Sequence, residues 1–350
     1  MLSAVLVSVL VTPPSPPADS VARATVRLDA SRKEVVVTAG PFDVAAMPPG
    51  MKHEDMEMME DHNTPVIRFE WPVEGWVRGF GVEILDAENR PVDRKLIHHL
   101  IGVNFDRRQL LYPAFERLFG IGQETEDAAI PKTIGVPLQP GTKLGMYMAW
   151  ANETGVDLKG VRVVLRLFYS PTNLNPRPLD ALPIYMDVNL TVGGTNTFDV
   201  PVGRSEKAYE FEMPIDGRLL GVAGHLHDHG VLVRLEDAST GRELTRVTAT
   251  RGADGKVLKL SRRLHGVTGQ GLRLEAGKRY RVVGVYENRT GATIPKGAMA
   301  HIVGLFAPDD VRRWPRLDLT DETLQEDLAS LSAMGSGGGH KHHEEPPKPR

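Results

Sequence analysis

A His-x-His pair is the feature of this sequence best suited to metal chemistry. His225 and His227 stand at the head of a run that alternates as a β-strand, Gly230-Val-Leu-Val-Arg-Leu. Side chains two positions apart on a strand lie on one face, so the two imidazoles can share a metal ion. Imidazole pairs suit copper, zinc and nickel alike, and two histidines without any ligand would give the same pattern. The pair therefore predicts a metal site without choosing the metal.

Met299 would add a thioether to this site. It lies in Lys296-Gly-Ala-Met-Ala-His301, at the start of an apolar run. A thioether is a soft ligand that copper(I) prefers and zinc rarely takes. Methionine also fills apolar cores, so the alternative is that Met299 packs in the interior. If Met299 joins the two histidines, copper is the expected metal.

A second candidate pair is His98-His99. Adjacent side chains point to opposite faces of a regular strand, so these two can share a metal only at a β-bulge or through different ring nitrogens. An acidic, methionine-rich segment supplies auxiliary candidates, with a solvated loop as the alternative reading: His53, Met56, Met59 and His62. The tail carries histidines that would bind metal weakly or serve only solubility: His340, His342 and His343.

Composition removes several other kinds of site. The 350-residue chain has no cysteine, so disulfides, thiol catalysis and thiolate metal sites are excluded. A net charge of -3 gives no reason to expect nucleic acid as a partner. Sequence signatures of serine hydrolases, P-loop proteins, dinucleotide-binding folds and zinc proteases are missing.

The first residues predict export. Residues 2–11 form an apolar run of signal-peptide length that is too short to span a bilayer. The run lacks a basic start and a clean cleavage site, so a disordered cytosolic tail is the alternative. No other stretch is long and apolar enough to cross a membrane. We therefore expect a periplasmic or extracellular protein without a transmembrane segment.

An internal repeat predicts a tandem duplication. Phe69-Glu-Trp-Pro-Val-Glu-Gly reappears as Phe211-Glu-Met-Pro-Ile-Asp-Gly. Farther along, an Asn-x-Thr-Gly turn follows a glycine at the same spacing in both halves, at Asn152 and at Asn288. Two blocks in the same order are hard to attribute to chance similarity of turns, so each half should form the same structural unit.

Short alternating apolar runs separated by Gly and Pro turns predict an all-β chain of antiparallel sandwiches. Helix is expected only at 108–119 and 321–331. The predicted organisation is a leader at 1–20, N-terminal strands with the Met/His-rich loop at 21–63, sandwiches at 64–178 and 184–310, and a short helix with a disordered tail at 311–350.

These motifs together resemble the copper type II, ascorbate-dependent monooxygenases, such as the peptidylglycine α-hydroxylating and dopamine β-monooxygenases. The resemblance runs from about residue 25 to 306 and rests on His225-Leu-His227-Asp-His-Gly, Gly297-Ala-Met299-Ala and Leu96-Ile-His98-His99-Leu. It implies two tandem antiparallel jelly-roll β-sandwich domains that face each other across a cleft. It also implies one copper on His225, His227 and Met299, and another on the His98-His99 pair.

One position departs from that family. Its first-domain copper has a third histidine, on a strand that follows a Pro-x-Gly-Thr turn. Here the turn Gln139-Pro-Gly-Thr142 is present, but the strand reads Met146-Tyr-Met148-Ala149-Trp150 and has Ala149 at the histidine position. Met148 is the predicted substitute, with Met146 as a second choice, and either would make the site soft.

The resemblance implies that the second-domain copper binds oxygen and hydroxylates a C–H bond. The first-domain copper would supply the second electron, and ascorbate would reduce both. A small molecule or peptide would be the substrate. The missing ligand leaves two other interpretations open: a non-catalytic exported copper-binding or copper-handling protein on the same fold, and a structural sandwich with relic histidines.

Overall fold

The computed structural model describes residues 23–48, 63–125, 127–190, 192, 196–266 and 270–334. Strands dominate these ranges, and the described residues contain a single α-helix, α1 (Glu322–Ala333). None of their helices is long and apolar enough to span a membrane. The all-β class expected from the alternating sequence is confirmed.

The first sandwich is built from twelve strands in two sheets. One sheet has the order β1-β2-β11-β4-β9-β12, with β5 and β8 pairing β4, and the other has the order β3-β10-β6-β7. The strands are β1 (Arg23–Asp29), β2 (Glu34–Val44), β3 (Ile67–Glu70), β4 (Gly75–Leu85), β5 (Pro91–Val92), β6 (Ile97–Arg108), β7 (Phe115–Gly122), β8 (Ala128–Ala129), β9 (Ile134–Leu138), β10 (Lys143–Trp150), β11 (Leu158–Pro171) and β12 (Leu179–Asp180).

The second sandwich follows directly. Its sheets have the orders β13-β24-β16-β20, with β21 pairing β16, and β15-β22-β17-β18-β19, and a small ribbon pairs β14 with β23. The strands are β13 (Leu182–Asp187), β14 (Phe198–Val200), β15 (Gly203–Glu212), β16 (Gly217–Leu226), β17 (Gly230–Asp237), β18 (Glu243–Arg251), β19 (Val257–Leu260), β20 (Arg263–Leu264), β21 (Leu272–Leu274), β22 (Arg279–Asn288), β23 (Ile294–Ala298) and β24 (Ala300–Pro308).

Both sandwiches have jelly-roll topology. In the first, β2-β11-β4-β9 stands against β3-β10-β6-β7, and in the second, β13-β24-β16-β21 stands against β15-β22-β17-β18. These eight strands can be counted in chain order within each sandwich. In both sandwiches the first strand pairs with the eighth, and the eighth also pairs with the third, as two interleaved Greek keys require. The predicted pair of tandem antiparallel jelly rolls is therefore confirmed.

The sequence repeat has a matching structural repeat. Asn152 is buried and its Nδ2 donates to the carbonyl oxygens of Val44 and Val156, at 3.0 and 2.9 Å. Asn288, also buried, donates in the same way to Val200 and Ala292, at 3.0 and 2.8 Å. One side chain thus closes the same turn in each copy.

Two features differ from the expected organisation. β1 and β2 belong to the first sandwich itself, because β2 pairs with β11, its last long strand. The helix predicted at 108–119 is wrong, since this stretch is the end of β6, a turn and most of β7. Gly102 pairs with Phe119 and Val103 with Arg117, so Leu118 is the extra residue of a bulge. Because of the bulge, the apolar residues of β7 recur in the sequence at the spacing of a helix face, and this spacing led to the wrong prediction.

The chain returns to the first sandwich after completing the second. Trp314 Nε1 donates to the Arg108 carbonyl oxygen at 3.0 Å. α1 was correctly expected near 321–331, and the Asp321 side chain caps it by accepting from Leu324 N at 3.1 Å. Within it, Asp327 accepts from Arg117 Nη1 at 2.9 Å. This C-terminal segment ties the two sandwiches together.

Candidate metal centre

A cavity of about 750 Å³ separates the two sandwiches and contains the candidate ligands. Strands β6, β7 and β10 line it from the first sandwich, and β16 and β24 line it from the second. Most of the lining is apolar, including Ile101, Phe119, Ile121, Val222, Val303 and Leu305. Five of the candidate ligands line this space: His98, His99, His225, His227 and Met299.

His225 and His227 lie together at the end of β16. His225 is the second-last residue of the strand, and His227 follows its last residue, Leu226. Leu226 is buried while both histidines are half-buried and face the cavity. Their ring centroids are 5.0 Å apart. The two-residue spacing therefore brings the imidazoles to one face, as a strand requires.

Met299 lies beside this pair, in the break between β23 and β24. Its neighbours Ala298 and Ala300 are fully buried, whereas Met299 is half-buried and lines the cavity. Its carbonyl oxygen accepts from His227 N at 3.2 Å and from the Tyr286 hydroxyl at 2.6 Å. Met299 is thus held against His227 by its backbone and is not a core-filling side chain.

A carboxylate from the other sandwich contacts His225. Glu124 lies just beyond β7, and its Oε1 is 2.7 Å from His225 Nδ1. A carboxylate accepts, so the Nδ1–H of His225 donates, and in the neutral ring Nε2 is then the nitrogen with the lone pair. Sequence reasoning missed Glu124, because the two residues are 101 positions apart and no local pattern links them.

His301 extends the array on the other side of His225. The two residues are directly paired between β16 and β24, with ring centroids 5.3 Å apart. Burial, together with the neighbouring His225, holds the pKa of His301 well below its usual value, so the ring is neutral. The Tyr185 hydroxyl donates to Asp187 at 2.7 Å and lies 3.1 Å from His301 Nδ1. No sequence motif pointed to this buried cluster.

The first-sandwich pair, His98-His99, sits on a β-bulge. Ala149 pairs with His99, and Trp150 pairs with Ile97, so His98 is the extra residue on β6. The two imidazole centroids are 5.0 Å apart. A bulge turns adjacent side chains toward the same side, which is the condition under which these two can share a metal.

Position 149 supplies no donor to this pair. Ala149 faces the cavity opposite His99. Met146 and Met148 alternate to the other face of β10 and are fully buried in the core of the sandwich. The structure therefore does not bring Met148 into the site as a substitute ligand. Asn63 forms an isolated bridge with Ala149, lines the cavity, and has a buried Oδ1 without a hydrogen-bond partner.

The two candidate sites adjoin each other. The ring centroids of His98 and His227 are 6.5 Å apart, across the boundary between the sandwiches. Within the described ranges, however, no three side chains of His, Asp or Glu converge on a metal position. Each site therefore depends on a pair of imidazoles, and only the second has a thioether beside its pair among the described residues.

The auxiliary candidates His53, Met56, Met59 and His62 lie outside the described residues, as do the tail histidines.

No known protein family matches the sequence, and no curated protein is significantly similar to it. Among solved structures, the chain is similar to the crystal structure of the STIV major capsid protein, at 9% identity and a TM-score of 0.31. That match covers 71% of this chain and 92% of the capsid chain, and a likeness this weak says nothing about function.

Proposed function

We propose that this protein binds one copper ion through His225, His227 and Met299. The observation that carries the proposal is the shared cavity wall of His225, His227 and Met299. The two imidazole centroids are 5.0 Å apart, and the half-buried Met299 accepts a backbone hydrogen bond from His227. Two imidazoles suit several metals, and the thioether favours copper(I) over zinc. The donor set thus fits copper without any thiolate, which this chain lacks.

The activity that we propose is ascorbate-dependent hydroxylation of a substrate C–H bond. When bound, copper would supply oxygen activation: one oxygen atom enters the C–H bond and the other leaves as water, with two electrons from ascorbate and two protons. The chain's own contribution would be to hold the imidazoles and to enclose the substrate, a small molecule or peptide, between apolar walls. Two histidine pairs facing one cavity support this proposal.

A second candidate function is export-associated copper handling without catalysis. Ala149 favours it, because the first-sandwich pair has two imidazoles and a methyl group where a third donor would complete the site. On this alternative, His225, His227 and Met299 bind copper for storage or transfer. The N-terminal apolar run supports a periplasmic or extracellular location for either function.

Copper stoichiometry combined with oxygen uptake tests these proposals. The purified chain is loaded with copper under ascorbate, dialysed, and assayed for metal by elemental analysis. We expect one tightly held copper per chain, lost in His225→Ala. Oxygen consumption that needs both ascorbate and an added substrate supports the monooxygenase, and tight copper without turnover supports the handling function. A chain that retains no copper contradicts both.

A further inference from the structure

The contact between Glu124 and His225 joins the two sandwiches at the proposed copper site. Glu124 Oε1 and His225 Nδ1 are 2.7 Å apart, and the two side chains are 9% and 20% exposed. The pair therefore lies largely out of solvent, where a charge-assisted hydrogen bond is stronger than on an open surface.

Local structure holds the Glu124 carboxylate in place. Residues 122–125 form a tight turn in which Thr125 N donates to the Gly122 carbonyl oxygen and Gly122 N donates to Thr125 Oγ1, both at 3.0 Å. A Cβ at Gly122 would lie 2.2 Å from Glu124 Oε2 and 2.7 Å from Oε1. The carboxylate thus folds over a glycine that leaves room for it, and any side chain at 122 would displace it.

The chemical consequence falls on the other nitrogen of the ring. A carboxylate that accepts from Nδ1–H selects the tautomer whose Nε2 carries the lone pair, fixes the ring plane and makes Nε2 a better donor. His227 has a different contact: its backbone N donates to the Met299 carbonyl oxygen within the second sandwich, at 3.2 Å. The two histidines of the pair are thus held by contacts to two different sandwiches.

We propose that Glu124 is a positioning residue for the copper site. It prepares His225 Nε2 for the metal, so that copper binding by the second sandwich depends on its contact with the first. This inference rests on the proposed copper site, but the orientation of His225 can be measured without metal. The competing interpretation is an interdomain contact that stabilises the fold and does nothing for the ligand.

The test uses the full chain with Glu124→Ala, Glu124→Gln and Gly122→Ala. Glu83→Gln is the matched control, because Glu83 forms an ion pair with Arg166 away from the cavity. Copper(I) affinity is measured by competition with a chromophoric chelator. Loss of such a partner typically weakens metal binding by about 10–100-fold, which is the effect expected for Glu124→Ala. Gly122→Ala should weaken binding in the same direction, Glu124→Gln should weaken it less, and Glu83→Gln should not change it.

The metal-free readout is the tautomer of His225, from long-range proton–nitrogen NMR spectra. In the wild type, Nδ1 should carry the hydrogen, and Glu124→Ala should give a mixture of tautomers. A wild-type His225 protonated on Nε2 overturns the proposal whatever copper does. Wild-type copper affinity in Glu124→Ala, with only a lower melting temperature, also overturns it and leaves the copper site standing. A wild type that binds no copper refutes the proposed function instead, while the spectra still decide the role of Glu124.

Discussion

The two sandwiches share one strand order but carry different donor sets. In the first, an imidazole pair lies on a bulge at the start of β6, opposite an alanine. In the second, an imidazole pair lies at the end of β16, beside a methionine held by backbone hydrogen bonds. A duplicated fold therefore repeats its turns and its core without repeating its donor set. If the protein binds copper as proposed, the third donor should decide which cavity wall keeps the ion.

The largest expected effect is at the second-sandwich pair. His225→Ala or His227→Ala should weaken copper(I) binding by more than about 100-fold, since losing even a partner of a ligand costs up to about that much. His229→Ala is the control, because His229 belongs to the same motif but does not line the cavity. Chelator competition measures all three. Equal affinities in the three variants would show that His225 and His227 are not copper ligands.

Adding a third imidazole should complete a copper site in the first sandwich. In Ala149→His the new ring would face the cavity opposite His99, and we expect retained copper to rise from one ion per chain to two. Tyr147→His is the control, since it lies on the same face of β10 but opposite Ile101. Elemental analysis after dialysis counts the ions. An Ala149→His chain that still holds one copper would show that the bulged pair is not a ligand pair.

The two methionines proposed as ligands from the sequence, Met299 and Met148, should respond differently to removal of their sulfur. Met299→Leu should weaken copper(I) binding by roughly 10-fold and leave zinc binding unchanged, because only the soft metal uses the thioether. Met148→Leu changes little core volume, so it should cost less than about 1.5 kcal/mol of stability and no copper affinity. Metal titration and urea unfolding separate the two effects. A loss of copper in Met148→Leu would contradict its placement in the core.

The smallest effect on copper is expected at the repeated turn. Asn152→Ala and Asn288→Ala each remove a buried amide that donates to two carbonyl oxygens, which should cost about 1–3 kcal/mol of unfolding free energy in either sandwich. Copper affinity should stay at the wild-type value in both variants. Urea unfolding measures the cost. If one variant is destabilised and the other is not, the two turns are not equivalent parts of a duplication.

Local sequence signals predicted what local structure determines. Alternating apolar residues gave the all-β class, and the repeated asparagines marked equivalent turns because the same side chain closes both. The helix expected at 108–119 failed since a bulge at Leu118 imitates helical spacing. Periodicity cannot separate these two causes within eight residues of β7.

The site was predictable only in part, because its parts come from distant segments. The spacing of His225 and His227 correctly predicted that both rings lie on one face. For His98 and His99 the sequence required a β-bulge if the two rings were to share a metal, and the structure has that bulge. Glu124 was missed, because its contact with His225 depends on how the two sandwiches pack. Met148 was misplaced because residues on β10 alternate between core and cavity, and sequence alone did not say which face held Ala149.

The most direct test of the proposed copper site is a crystal structure of the copper-loaded chain with diffraction data on both sides of the copper absorption edge. We expect one strong anomalous peak within coordination distance of the His225 and His227 imidazole nitrogens and the Met299 sulfur. No peak of similar height should lie at His98 and His99. A single peak at the first-sandwich pair, or no peak at either wall of the cavity, would refute the proposed site.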